Sequence, residues 1–182
     1  MTIAALDACG RYAVAAVGLG DVTFYAASDA GVGAVRAVYS SFDRVLEKGG
    51  VKPSELDAIV VNTGPGSWTG VRVSVTYTAS LAFGAGARAY GHSGFAIGKR
   101  LAGGVAFIDQ LGKTIAEQGA GEAPLLVELF AEIGADDYLS RRQAWLDQML
   151  ALGAEALAAG EAGDPLDLQT TYFQEFLAGA RK

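Results

Sequence analysis

The sequence predicts an α/β protein. Three observations carry that expectation. Short apolar runs of strand length fill residues 3–26, helical spacing takes over in the thirties, and a glycine-rich turn at 64–70 joins an apolar run to a helix-like stretch. With 182 residues, 51% of them hydrophobic, the chain can bury the core of one domain or two small lobes.

The elements follow in order. Ile3 to Leu6 reads as a buried strand ending at Asp7. Tyr12–Val17 and Val22–Ala26 are two more, joined by the turn Gly18-Leu19-Gly20-Asp21. Val32, Val35, Val38, Phe42, Val45 and Leu46 then recur at helical spacing. Asp29 or Ser28 caps that helix and Gly49-Gly50 stops it. Its core stripe is read as Val35, Val38, Phe42 and Val45, with Tyr39 and Leu46 off centre. Pro53-Ser54-Glu55 opens a turn into a strand over Leu56–Val61, apolar enough to be buried on both faces. After the glycine turn a second helix runs from about Ser67 to Phe83, ended by Gly84-Ala85-Gly86, and Arg88–Gly91 is a short fifth strand. The order is βββαβαβ by residue 91, a compact α/β lobe.

The second half is read more coarsely. Phe95–Leu101 is a short helix, Val105–Asp109 a strand and Gly112–Glu117 a weakly patterned partner strand. Leu125–Ile133 and Arg141–Ala159 are expected to be helical, and Gly160–Pro165 breaks the chain. Leu168–Leu177 is a strand or helix anchored by Tyr172, Phe173 and Phe176.

Composition excludes several classes. No apolar run reaches the roughly 18 residues of a membrane helix. The opening residues have no basic region and meet Asp7 early, so no signal peptide is expected. One cysteine, Cys9, rules out an internal disulfide framework and fits the cytoplasm. The formal net charge is −6, and all of it falls on residues 92–182. An acidic half repels phosphate backbones, so the chain alone is a poor nucleic-acid binder. A single histidine, His92, excludes a two-histidine metal site within the chain. His92 and Cys9 as a nucleophilic pair have nothing local to mark them; a packed histidine and a small buried cysteine are the plainer reading.

Gly64-Pro65-Gly66-Ser67-Trp68-Thr69-Gly70 is the densest motif. Strand, glycine turn and helix is where α/β proteins build sites, because the first helical N–H groups lack partners. It is not a P-loop, since Val71-Arg72 stands where Lys and Ser/Thr are needed. Nor is it a dinucleotide fingerprint, because the third glycine comes one residue late. Two readings remain: a phosphate cradle, or a shaped junction that presents Ser67, Trp68 and Thr69, with Ser67 as helix cap. Asp7 either positions metal and phosphate or bonds nearby backbone in a turn. Arg72 either meets an acidic partner group or holds the loop by its carbonyls. The second helix carries no charge between Arg72 and its end. It is either buried in the lobe or offers a close-packing surface.

These residues carry a resemblance. Gly64 to Arg72, GPGSWTGVR, is similar to the GPGSFTGVR signature of the TsaB (YeaZ) family, with Trp68 for the usual Phe. Ala5-Leu6-Asp7-Ala8-Cys9, the helix over Val32–Leu46 and Leu56-Asp57-Ala58-Ile59 also match family positions, and Asp164-Pro165-Leu166-Asp167 with Tyr172 resembles the family tail. The likeness is specific over residues 1–91 and thin beyond. Ala8 replaces the family's Thr, Asp109-Gln110-Leu111 replaces an Asp-Ala-Arg-like run, and Tyr172-Phe173-Gln174 stands for Tyr-Leu-Arg.

The resemblance implies the two-lobed, ribonuclease H-like fold of actin, sugar kinases and chaperone ATPases. The first lobe is 1–91 and a smaller, degenerate second lobe with C-terminal helices is 92–182. It implies a non-catalytic scaffold that supports a TsaD-like catalytic paralogue in threonylcarbamoylation of the adenosine beside the tRNA anticodon. A TsaE-like ATPase is a further partner, the free chain is a candidate homodimer, and tRNA is met only through the complex. No cofactor or metal is expected on this chain alone; ATP or ADP is expected at the complex interface. The candidate composite site is Asp7, Gly64, Pro65, Gly66, Ser67, Trp68, Thr69, Gly70 and Arg72. The candidate partner face is Arg36, Tyr39 and Asp43 on the first helix, with Val73, Tyr77, Ser80 and Leu81 on the second. TsaD-like catalysts hold metal with a histidine pair at i and i+4, which this chain lacks.

Two alternatives stand beside it. An ATPase or kinase of the same fold needs Asp7 and the 64–70 loop on phosphates, and an adenosine loop for which Gly103-Gly104 is a weak candidate. A peptidase needs a zinc pair or a triad, and neither is evident.

Overall fold

The computed structural model describes residues 1–109, 111–119 and 124–170, apart from the Val32 side chain. A five-stranded sheet has the order β3-β2-β1-β4-β5. Its strands are β1 (Thr2–Asp7), β2 (Tyr12–Leu19), β3 (Val22–Asp29), β4 (Ala58–Asn62) and β5 (Arg88–His92). The first three form an antiparallel meander; β4 and β5 run parallel to β1.

Two helices, α1 (Ala34–Gly49) and α2 (Trp68–Ala85), link β3 to β4 and β4 to β5. Both crossovers step the same way along the sheet, so right-handedness puts both on one face. Side chains alternate accordingly. Ala4, Leu6, Ala15, Val17 and Ile59 pack under α1 and α2 with Val38, Phe42 and Val45. Ile3, Ala5, Val14, Ala16 and Val60 face the other way, where the long helix α4 (Ala135–Ala158) lies with Trp145, Leu146 and Met149. Gly153 lets α4 come close, since a Cβ there would meet Val60 Cγ2 at 2.5 Å.

A second sheet, β7-β6-β8, comprises β6 (Val105–Ile108), β7 (Thr114–Gln118) and β8 (Leu125–Glu128). The helix α3 (Gly94–Ala102) precedes it, capped by Ser93, whose Oγ accepts the Ala96 N–H. A 3-10 turn at Pro165–Asp167 is capped by Asp164.

Several expectations are corrected. Leu125–Ile133 is not a helix: residues 125–128 pair in parallel with 105–108, and Val127 faces the core while Leu126 faces out. Four apolar residues fit either element by pattern, and β6's open edge decides for strand. The long helix begins at Ala135 rather than Arg141, with Asp136 and Asp137 in its first turn, where acidic groups favour the dipole. Val35 is not in the core but 69% exposed, and Leu46 is buried. Val35 has the right angle but sits in the first turn of α1, beside an open hollow. Asp29 does cap, yet it caps the 3-10 turn Ala30–Val32 before α1. Tyr172, Phe173 and Phe176, like Gln110 and Gln174, lie outside the described residues.

Candidate functional site

The site begins where β1 and β4 end side by side. Asp7, last in β1, is buried. Its Oδ1 accepts the Cys9 N–H at 2.8 Å and its Oδ2 accepts Asn62 Nδ2 at 2.9 Å. Asn62, last in β4, turns its Oδ1 to the Gly64 N–H at 3.0 Å. A buried carboxylate is thus held by a backbone turn and a neutral amide. Of the two readings of Asp7, the turn-bonding one describes its contacts.

The glycine loop lies directly on this turn. The Ser67 N–H donates to the Cys9 carbonyl at 2.6 Å, and the Gly94 N–H to the Gly64 carbonyl at 2.7 Å. Ser67 caps α2 as expected, its Oγ accepting the Gly70 N–H at 3.2 Å. The glycines are needed for contact. A Cβ on Gly70 would stand 1.9 Å from the Ala8 carbonyl oxygen, and one on Gly66 2.4 Å from Cys9. Gly64 is at φ 110°, which only glycine adopts readily, and its bond to Pro65 is cis. The loop's amides at 64, 67 and 70 therefore bond within the protein, and Cys9 fills the space beside Gly66 that a phosphate cradle leaves open.

Burial, with the nearby Asp7 carboxylate, pushes the Cys9 thiol up, so it stays protonated and unreactive. Burial lowers the His92 pKa; His92 ends β5, and its Nε2 has no hydrogen-bond partner among the described residues. Cys9 and His92 do not form a pair by any contact in the structure. Among the described residues, no three His, Cys, Asp or Glu side chains converge as metal ligands. Gly103 is the left-handed cap of α3 (φ 71°), and Asp109 is a turn former, accepting the Leu111 and Lys113 amides.

Beyond the loop the residues turn outward. Trp68 opens α2 half-exposed, with the Arg72 guanidinium 5.4 Å from its ring centroid. That cation–π contact was in neither reading of Arg72. Thr69 shares a hollow of about 470 Å³ with Gly33, Ala34, Val35, Arg36 and Tyr39 at the start of α1. Tyr39 is 59% exposed and meets Tyr77 edge-on at 6.3 Å, and Tyr77 in turn meets Phe42 at 5.5 Å. Burial, then Tyr39 and Asp43, raise the Tyr77 hydroxyl to about 12. Arg36, Asp43 and Ser80 are exposed, while Val73, Tyr77 and Leu81 are half-buried against the core. The candidate face is therefore a rim of exposed polar residues around Val35 and Tyr39, not a bare apolar stripe.

Sequence reasoning missed Asn62 and Arg142. Asn62 was visible as the one polar residue ending an apolar strand. Arg142 shares the buried period of Tyr138, Trp145 and Met149 on α4.

The meander, two parallel crossovers and smaller second sheet make a mixed α/β protein of the ribonuclease H-like fold. The match to known proteins is narrower. A family model described as TsaD, tRNA N6-adenosine threonylcarbamoyltransferase, matches residues 34–93. A Pseudomonas aeruginosa protein described as uncharacterized, with similarity to peptidase YeaZ, superposes with a TM-score of 0.68 at 19% identity, over 94% of this chain and 99% of that one. YeaZ from Pseudomonas aeruginosa gives 0.67 at 17% identity with the same coverage. No curated protein matches by sequence. The resemblance read from the glycine motif thus holds, and the fold is the YeaZ fold across nearly the whole chain.

Proposed function

We propose that this chain is a non-catalytic subunit that binds and supports a TsaD-like enzyme in threonylcarbamoylating the adenosine beside the tRNA anticodon. The observation that carries the reading is the self-satisfied glycine loop beneath an exposed α1–α2 end. Asp7, Asn62 and Ser67, polar groups that a phosphate site would need free, are bonded within the protein. The same motif sends Trp68 and Thr69 outward beside Val35 and Tyr39. Aromatic groups on a rim of charge are the composition of a binding face. The family-model match over 34–93 supports the reading, because it spans α1, the loop, α2 and β5.

In this reading Arg36, Tyr39, Asp43, Val73, Tyr77, Ser80 and Leu81 meet the catalytic paralogue, or a second copy of this chain when it is alone. ATP or ADP binds at the joint between subunits, where Arg72 and Trp68 lie at the edge. A TsaE-like ATPase joins the complex, and tRNA is met only through it. An ATPase acting alone is less well supported, since Asp7 would first have to leave Cys9 and Asn62. Co-purification with the cognate TsaD-like protein tests the proposal. Complex formation lost on Tyr39→Ala, with the fold intact, is the expected result. Failure to form a complex, with tRNA modification surviving deletion of this chain, overturns it.

A further inference from the structure

A cavity of about 480 Å³ opens between β8, the loop that follows it, the end of α3, and α4. Its wall is apolar at Leu101, Val127, Ile133 and Trp145. Arg142 also lines it and is only 6% exposed. A buried guanidinium is costly unless its charge is met. Here Nη2 donates to the Glu128 carbonyl at 3.1 Å and to the Tyr138 hydroxyl at 3.0 Å. The rings of Tyr138 and Trp145 flank the charge at 5.0 and 5.8 Å. Nε and Nη1 have no hydrogen bond, and no carboxylate lies within ion-pair distance, among the described residues. The nearby acids are engaged. Glu128 pairs with Arg141 at 3.1 Å, and Asp7 is held by Cys9 and Asn62.

The surroundings are held in place. Tyr138 donates to the Leu129 carbonyl, Tyr12 donates to the Ile133 carbonyl, and the two tyrosine rings meet at a tilt with centroids 5.0 Å apart. The loop wall and the guanidinium are therefore positioned before any ligand arrives. Nε and Nη1 keep three N–H bonds on a cation that lines an apolar hollow, donors enough for charge-assisted hydrogen bonds to one carboxylate. The size is that of a small-molecule site.

We propose that this cavity binds a small organic monocarboxylate, its carboxylate on Arg142 and its apolar body against Val127, Ile133 and Trp145. The proposal does not depend on the partner reading above, and its test uses the isolated protein. Phenylacetate and its uncharged counterpart phenylacetamide are titrated calorimetrically into the full chain at millimolar concentration. Phenylacetate is expected to bind at least about tenfold more tightly than phenylacetamide. Arg142→Gln abolishes that preference and Arg141→Gln keeps it. Ala144→Phe fills the mouth from an exposed helical position and is expected to lose phenylacetate while melting like the parent. If Arg142→Gln does not fold, Ala144→Phe decides. Equal binding of the two probes, no phenylacetate binding to folded protein, or full binding by Ala144→Phe overturns the proposal.

Discussion

The glycine loop and the Arg142 cavity invert what the sequence advertises. The loop is the conspicuous motif, yet its buried carboxylate and its amides at 64, 67 and 70 have partners inside the protein. Arg142 is one arginine on a long helix, yet among the described residues it keeps unpartnered N–H groups beside an open cavity. The difference teaches that a motif marks constraint, which here is close packing. Chemical opportunity lies instead where a buried charge has been left incompletely met.

The loop side of this comparison breaks most sharply at Gly70. Gly70→Ala drives a Cβ into the Ala8 carbonyl, a backbone group that cannot rotate away. The expected loss is about 3 kcal/mol or more, read as the urea midpoint. Gly84→Ala on the same helix, with nothing within 4 Å, is the control and gains about 0.5–1 kcal/mol. If Gly70→Ala is as benign as Gly84→Ala, the loop is not closed onto the 8–9 turn.

Asn62→Leu comes next. It strips the partner from Asp7 Oδ2 and from the Gly64 N–H while keeping volume. About 2–3 kcal/mol is expected, by the same denaturation. A near-neutral result would mean that the loop is not held through Asn62. Tyr39→Ala separates fold from face. Its stability change should stay within about 1 kcal/mol, because the side chain is mostly exposed, while binding to the proposed TsaD-like partner weakens by about 2 kcal/mol. Equal binding by parent and variant removes Tyr39 from the face.

The smallest effects are in pH. His92 has a lowered pKa in the fold, so below its ordinary value of 6.5 the unfolded chain binds more protons. Its contribution is fully present above that value and is lost as pH falls toward the folded pKa. His92→Gln should flatten this acid slope. Cys9 behaves oppositely: its raised pKa gives stability that is present below 9.0 and declines as pH rises above it. Cys9→Ala should remove that alkaline slope in pH-dependent melting.

The first sheet was legible because its strands carry their own evidence. Ala4, Leu6, Val14 and Val17 lie in runs too apolar to be surface, and Gly20, Gly50 and Gly86 punctuate them where φ is positive. The second sheet was not. Leu125–Glu128 fits helix or strand by pattern, and only the open edge of β6 makes it a strand. Val35 fits the core stripe by angle, and only its place in the first turn of α1 leaves it exposed.

The sequence by itself determined the order of elements through residue 91, the helix cap at Ser67, and the resemblance carried by residues 64–72. Local chemistry decides those features, because glycine conformations, caps and apolar periods act within a few residues. Tertiary structure alone decided that Asp7 faces Asn62, that Gly66 and Gly70 rest on Cys9 and Ala8, and that Arg142 borders a cavity. Each joins residues more than ten positions apart, and no local pattern encodes which buried polar group finds a partner and which is left open.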